Sequence, residues 1–125
     1  MKQFVEDSQP IYQQIAEGIE DEILGNGLKE GEQVPSTNQF ARHYQINPAT
    51  AAKGINLLVE EGILYKKRGI GMFVAEGALA AIQEKRRQLF YREFVLPLWE
   101  EAVKLNLNKE SVVELMNQAM KEARS

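Results

Sequence analysis

Three consecutive cations followed by a glycine, Lys66-Lys67-Arg68-Gly69, stand between two apolar segments. Positive side chains at a tight turn can bind phosphate groups or enter the minor groove of DNA, where arginine is attracted by the negative potential. Gly69 has no side chain, so the backbone there can approach a partner closely. A basic run is more often solvated surface, so this motif by itself indicates nucleic acid only weakly.

A second polar group follows Asn47-Pro48, a pair that typically starts a helix with Asn as the N-cap. Residues near the N-terminus of a recognition helix reach base edges in the major groove, and Asn can pair bidentately with adenine. Asn47 could equally be a cap and nothing more. The residues of this group are Asn47, Ala49, Thr50 and Lys53.

A third group stands at the start of the preceding helix. Ser36 and Gln39 have capping-box spacing, so we expect that helix to begin at Ser36. Its first residues, Ser36, Thr37 and Asn38, would offer backbone N–H groups to a phosphate.

Composition limits the other chemistry that the chain could perform. There is no cysteine among the 125 residues, which excludes disulfides and thiol catalysis and fits a cytoplasmic location. His43 is the only histidine, so we expect no metal site and no cofactor, and assign no catalytic residue. No apolar run is long enough for a membrane span. The net charge is −3, but residues 42–74 hold five cations and two acids, a local +3 that suits DNA.

The elements that position these groups follow from periodicity. Ile11, Ile15, Ile19 and Ile23 recur every four residues and predict a first helix, with Ser8 as its N-cap. Two short helices separated by residues 44–46 then form a helix-turn-helix pattern. Residues 63–74 predict a β-hairpin with glycines at its turn. Three helices and a hairpin are the order of a winged helix.

Beyond residue 77 the sequence predicts two amphipathic helices, the first bent at Pro97 and the second capped by Asn108. These helices are too few to bury their own apolar faces, so pairing with a second copy is the simplest way to cover them. The predicted dimerisation residues are Leu79, Ile82, Phe90, Phe94, Leu98, Trp99, Leu115 and Met116.

Taken together, the ordered motifs resemble the GntR family of bacterial transcriptional regulators, and the Asn-Pro-x-Thr motif with the short C-terminal part is similar to its YtrA subfamily. The motifs that carry the resemblance are Pro10-Ile11-Tyr12-Gln13-Gln14-Ile15, Gly27-Leu28, Gly31, Val34-Pro35-Ser36, Phe40-Ala41, Ile46-Asn47-Pro48-Ala49-Thr50, Leu58, Glu61-Gly62 and Arg68-Gly69-Ile70-Gly71-Met72-Phe73-Val74.

The resemblance implies a dimeric repressor of transporter or stress genes that binds an imperfect palindrome. It places family DNA contacts on Ser36, Asn47, Thr50, Lys53, Arg68 and Gly69. Asn38 departs from the pattern, because many relatives carry Arg there. The C-terminal part is too short for a large effector domain, so an effector would bind at the dimer interface, near Tyr91 and Trp99.

The expected fold is therefore α+β and mainly α. A winged helix-turn-helix of three helices and a hairpin wing (residues 1–76) precedes a two-helix C-terminal dimerisation region (residues 77–125). The expected function is sequence-specific binding of double-stranded DNA by a homodimer, with no enzymatic activity. Two alternatives stay open: a winged helix used as a protein scaffold, and a small enzyme, which the lack of convergent acid, base and nucleophile disfavours.

Overall fold

The computed structural model describes residues 9–124. In chain order its elements are α1 (Ile11–Leu24), α2 (Thr37–Tyr44), α3 (Pro48–Glu60), β1 (Leu64–Lys67), β2 (Gly71–Val74), α4 (Ala78–Phe90), a π-helical segment (Tyr91–Val95), α5 (Leu96–Lys104) and α6 (Lys109–Ala123). The chain divides into two compact units after Glu84, within α4. The predicted class is confirmed, since a helix-turn-helix with a hairpin wing is followed by helices.

The first helix is buried along the predicted stripe. Ile15, Ile19 and Ile23 are each at most 3% exposed, which confirms the four-residue spacing. The helix begins after Pro10, which occupies the N-cap position and makes no side-chain capping bond. The predicted cap, Ser8, lies outside the described residues.

α1 and α3 are in close contact at Gly54. No motif in the sequence predicted this contact. A Cβ atom built on Gly54 would lie 2.7 Å from the carbonyl oxygen of Tyr12 and 2.9 Å from Cγ2 of Ile15. No real side chain fits that space, so only glycine allows the two backbones to approach this closely. The contact fixes α3 against α1 over the buried side chains Ala51, Ile55 and Leu58.

Capping groups define both ends of α2 and the start of α3. Ser36 Oγ accepts the N–H of Gln39, and Gln39 Oε1 accepts the N–H of Ser36, so the predicted capping box is confirmed. α2 ends at Gln45, which adopts a left-handed conformation with φ 54°. Asn47 then caps α3 and Pro48 is its first residue, both as predicted.

The wing is an antiparallel hairpin in which Leu64 pairs with Val74 and Lys67 with Gly71. The segment before α2 pairs with β2 through a β-bridge between Gln33 and Phe73. The N–H of Val34 donates to the oxygen of Met72, and the N–H of Val74 donates to the oxygen of Glu32. The hairpin is thereby tied to the chain that leads into the helix-turn-helix.

The loop after α1 also holds the start of α4. Glu30 accepts the N–H of Gly77 at 2.7 Å and the N–H of Leu79 at 3.3 Å, so its carboxylate caps α4. Ala78 and Ile82 on the first turns of α4 lie in the hydrophobic core of the first unit. The first unit therefore includes about two turns of a helix that the sequence assigns to the C-terminal region.

In the second unit, the long helix predicted to bend at Pro97 carries its irregularity one turn earlier. Residues 91–95 form a π-helical segment, in which the N–H of Leu96 donates to the oxygen of Tyr91. Pro97 stands just after this segment and has no N–H of its own to donate. Asn108 caps α6 through the N–H of Ser111, as predicted.

Gly54→Ala should lower the free energy of unfolding by about 1–3 kcal/mol, the usual cost of overpacking a tight contact, although Ala favours helix by about 1 kcal/mol over Gly. Urea denaturation followed by circular dichroism measures the change. Ala52→Gly, at a half-buried position of the same helix, is the matched control for helix propensity. A more stable Gly54→Ala protein would contradict the close contact.

Candidate nucleic-acid interface

The outer face of α3 carries the polar group that the sequence singled out. Asn47, Ala49 and Lys53 are exposed and Thr50 is half-buried. The opposite face of the helix packs into the core through Ala51. One side of α3 is thus buried in the core, and the other is exposed and can contact a partner.

Asn47 has a structural role within the chain. Its Oδ1 accepts the N–H of Ala49 at 2.8 Å, so the oxygen that a bidentate adenine contact would use already caps α3. The Nδ2 group is the donor that Asn47 can offer to a partner. Asn47 therefore fixes the start of the helix on which Thr50 and Lys53 stand.

The start of α2 differs from expectation in one respect. The backbone N–H of Ser36, expected to be offered to a phosphate, donates 3.0 Å to Gln39 Oε1 within the capping box. That expectation for Ser36 is corrected, because the reciprocal cap uses the group. Thr37 and Asn38 form the first turn, where helix geometry supplies no preceding carbonyl for their N–H groups.

Lys53 lies beside an aromatic ring that sequence reasoning did not assign to the interface. Its Nζ is 4.1 Å from the ring centre of Tyr12, which belongs to the first turn of α1. This separation is within the range of a cation–π interaction. Sequence alone offered no signal for the pair, since 41 positions separate the two residues.

The three wing cations do not lie side by side at the tip. Lys66 and Lys67 belong to β1, where successive side chains point to opposite faces, and Arg68 alone begins the turn. Lys67 shares the face of Tyr65 and Phe73, and its Nζ lies 4.6 Å from the ring centre of Phe73. Of the three cations expected at the wing tip, Lys66 and Lys67 therefore lie on opposite faces at the end of β1, and Arg68 lies in the turn.

The wing turn depends on glycine and on one glutamine. Gly69 has φ 77°, and a Cβ built there would meet no atom within 4 Å, so the backbone conformation requires glycine and space is open around it. Gln33, in the segment before α2, donates from Nε2 to the oxygen of Ile70 at 3.0 Å and stabilises the turn. Sequence reasoning missed Gln33, because a lone glutamine in a polar loop carries no motif.

The described residues give little indication of catalysis or of metal binding. A groove of about 820 Å³ runs beside α2 and contains two titratable side chains, His43 and Tyr44. Burial raises the pKa of the Tyr44 phenol above its ordinary value, and the charge of Glu22 raises it further, so Tyr44 is neutral at physiological pH. Within residues 9–124, no group of three or more His, Cys, Asp or Glu side chains could hold a metal ion.

Among the predicted dimerisation residues, Ile82 is fully buried in the core of the first unit and Leu79 packs against that core. The other six belong to the second unit and are exposed: Phe90, Phe94, Leu98, Trp99, Leu115 and Met116.

Leu98, Leu115 and Met116 line an apolar groove of about 340 Å³ between α5 and α6. Tyr91 and Trp99, the residues proposed for an effector, are also exposed and do not line this groove. No helix in residues 9–124 combines the length and apolar character needed to cross a membrane.

Comparison with known families and sequences places the first unit among bacterial regulators. The family described as "Bacterial regulatory proteins, gntR family" matches residues 11–74. The HTH-type transcriptional regulator YhcF of Bacillus subtilis is 31% identical over 86% of this chain and 87% of its own length. The HTH-type transcriptional repressor YtrA of Bacillus subtilis is 34% identical over 62% of this chain and 59% of its own length.

Several solved structures are also similar to this chain. A putative GntR-family regulator from Bacteroides thetaiotaomicron has a TM-score of 0.79 at 29% identity, covering 91% of this chain and 99% of its own. YtrA from Sulfolobus acidocaldarius, a GntR-family transcription factor, has a TM-score of 0.56 at 28% identity and covers both chains fully. The DNA-binding domain of AraR in complex with an operator has a TM-score of 0.55 at 26% identity, covering 60% of this chain and 96% of its own.

Arg68→Ala should weaken binding to duplex DNA and leave stability nearly unchanged, because Arg68 is an exposed turn residue. The slope of log affinity against log salt should become shallower by about one unit per protomer, since one cation fewer neutralises phosphate. Fluorescence anisotropy at several salt concentrations measures the affinity for DNA and its dependence on salt. Lys29→Met, which removes an exposed cation outside this face, is the charge-matched control. Equal effects of the two substitutions would remove Arg68 from the interface.

Proposed function

The chain belongs to the gntR family of bacterial regulatory proteins, and from this premise we propose that it is a homodimeric repressor that binds a palindromic operator. Its relatives are DNA-binding transcriptional regulators, and the similarity to YtrA supports the YtrA subfamily. The observation that carries the proposal is the outer face of α3, where Thr50 and Lys53 project from a helix whose other face is buried.

The recognition step is assigned to α3. The first turns of a recognition helix lie closest to the base edges when the helix enters the major groove. Thr50 can contact a phosphate or a thymine methyl group, and Lys53, one turn further, a phosphate or guanine. The Asn47 cap and the Gly54 contact hold this helix in place, so the backbone positions that carry Thr50 and Lys53 are fixed before DNA binds.

The wing is assigned to the flanking backbone and minor groove. Arg68 stands at the turn, and the open space around Gly69 allows a sugar-phosphate chain to come close. Lys66 and Lys67 lie one on each face of β1, so each can neutralise a phosphate on a different side of the wing. This division suits a wing that lies within a groove, between two phosphate strands.

Dimerisation is assigned to the second unit. Single exposed hydrophobic residues are common, but a concentration of large ones marks an interface. Among the described residues of this unit, thirteen large hydrophobic side chains are at least 38% exposed, which is more apolar surface than an isolated soluble unit usually leaves in contact with water. A second copy brings two α3 helices into one assembly, and a two-fold dimer reads a palindrome.

We assign DNA binding to residues 1–76 and dimerisation to residues 77–125, with α4 as the connection that the Glu30 cap secures to the first unit. The protein acts without enzymatic chemistry, in the cytoplasm where the operator lies. In this arrangement the dimer interface, which includes Tyr91 and Trp99, is the place for a small-molecule effector.

Selection from a pool of random duplexes, with sequencing of the bound fraction at two salt concentrations, should enrich a palindrome whose half-sites lie about one helical turn apart. Affinity for that palindrome should fall as salt rises, because counterions are released on binding. Recovery of an asymmetric single half-site would refute the symmetric dimer, and no enrichment at either salt would refute sequence-specific reading.

Phe94→Ser should dissociate the dimer. Burying a phenylalanine contributes about 1.5–3 kcal/mol and the dimer contains two copies, so the dimer dissociation constant should rise more than about a hundredfold. Sedimentation equilibrium measures the change. Ile70→Ser is the matched control, because Ile70 is similarly exposed but belongs to the wing. An unchanged dimer in the Phe94 variant would place the interface elsewhere.

A further inference from the structure

Tyr12 contacts the recognition helix from outside it. The ammonium of Lys53 lies 4.1 Å from the centre of the Tyr12 ring, and Lys53 itself is exposed on the outer face of α3. We propose that Tyr12 is a positioning residue for DNA recognition, which holds the Lys53 ammonium in place for a phosphate or guanine. This inference rests on the proposed function, because it concerns the same face.

The backbone contact between α1 and α3 brings the two residues together. Gly54 follows Lys53 directly, and a Cβ on Gly54 would lie 2.7 Å from the carbonyl oxygen of Tyr12. Ile15, one turn after Tyr12, is fully buried and anchors α1 at the same place. The packing of the two helices therefore brings Tyr12 and Lys53 together. The pair does not depend only on two flexible surface side chains that happen to meet.

The physical effect of the ring is to order a flexible side chain before binding. A free lysine has four rotatable bonds, and fixing them against DNA costs conformational entropy. The Tyr12 ring contacts one side of the ammonium, which leaves hydrogens on the other side to donate to a phosphate or base oxygen. The ring therefore reduces the entropy lost on binding and directs the charge.

Tyr12 could in principle serve packing alone, since its ring is half-buried. Its hydroxyl lies 3.4 Å from Gln13 Nε2, a neighbour in sequence, and the ring face contacts Lys53. A role through the ring face is separable from a role through the hydroxyl, because Phe keeps the first and loses the second. A role in packing is separable from both, because it does not depend on Lys53.

The test is a double-mutant cycle of Tyr12→Leu and Lys53→Met, with Tyr12→Phe as the conservative variant and Lys29→Met as the charge control. The probes are the palindromic duplex enriched by selection and a duplex of mixed sequence, measured by fluorescence anisotropy. Tyr12→Leu should weaken palindrome binding about two- to fivefold per half-site, the size of an exposed cation–π interaction. It should cost nothing further when Lys53 is already Met, and Tyr12→Phe should bind like the unchanged protein.

A measurement on the free protein tests the pair without DNA and without any substitution. The ε-methylene protons of Lys53 should resonate upfield of those of Lys29, because the Nζ atom bonded to that methylene lies over the Tyr12 ring. Lys67, which stands 4.6 Å from the centre of the Phe73 ring, provides an internal positive reference. This spectrum remains informative even if Tyr12→Leu does not fold.

The outcomes separate this inference from the function on which it rests. If the unchanged protein binds neither duplex, the proposed function fails and the role of Lys53 fails with it. If it binds, but Tyr12→Leu costs the same in both Lys53 backgrounds, or Tyr12→Phe binds as weakly as Tyr12→Leu, only the positioning role is overturned. An unshifted Lys53 resonance in the free protein also overturns it.

Discussion

The contact between α1 and α3 at Gly54 is the constraint on which the rest of the first unit depends. Because Gly54 has no Cβ, the carbonyl of Tyr12 and the side chain of Ile15 reach the backbone of α3. That approach sets which face of α3 is buried, and so which face presents Thr50 and Lys53. The same crossing places the Tyr12 ring beside the Lys53 ammonium. The packing of α3 and the contact between Tyr12 and Lys53 therefore both depend on a glycine at position 54.

Two side chains from the segment after α1 extend this arrangement to the wing and to the start of α4. Gln33 bonds to the turn of the hairpin, and Glu30 caps the start of α4. Both residues come from a stretch that carries few apolar residues and contributes one β-bridge. The orientation of the wing and the origin of α4 are thus fixed through polar contacts, while the helices are fixed through apolar ones. Loops of this kind often carry function on a rigid scaffold.

The second unit has the opposite balance between buried and exposed apolar surface. In the described part of this unit, Ala102 is the one hydrophobic residue that is almost completely buried, while Phe94, Leu98 and Trp99 remain exposed on helices that are otherwise well formed. A unit of this size lacks the volume to enclose its own apolar surface. We propose that a second copy of the chain covers that surface.

The sequence by itself determined several features that depend on neighbours along the chain. The capping box at Ser36, the caps at Asn47 and Asn108, the isoleucine stripe of α1 and the hairpin all follow from local hydrogen bonds and helical or strand period. Tertiary structure alone decided the features that join distant segments: the bridge between Gln33 and Phe73, the burial of Ile82 in the first core, and the Tyr12–Lys53 pair. The physical reason is the distance along the sequence over which each interaction acts. Caps and periodicity act over a few residues, whereas the distance between two helices depends on which side chains pack between them, and no local pattern records that.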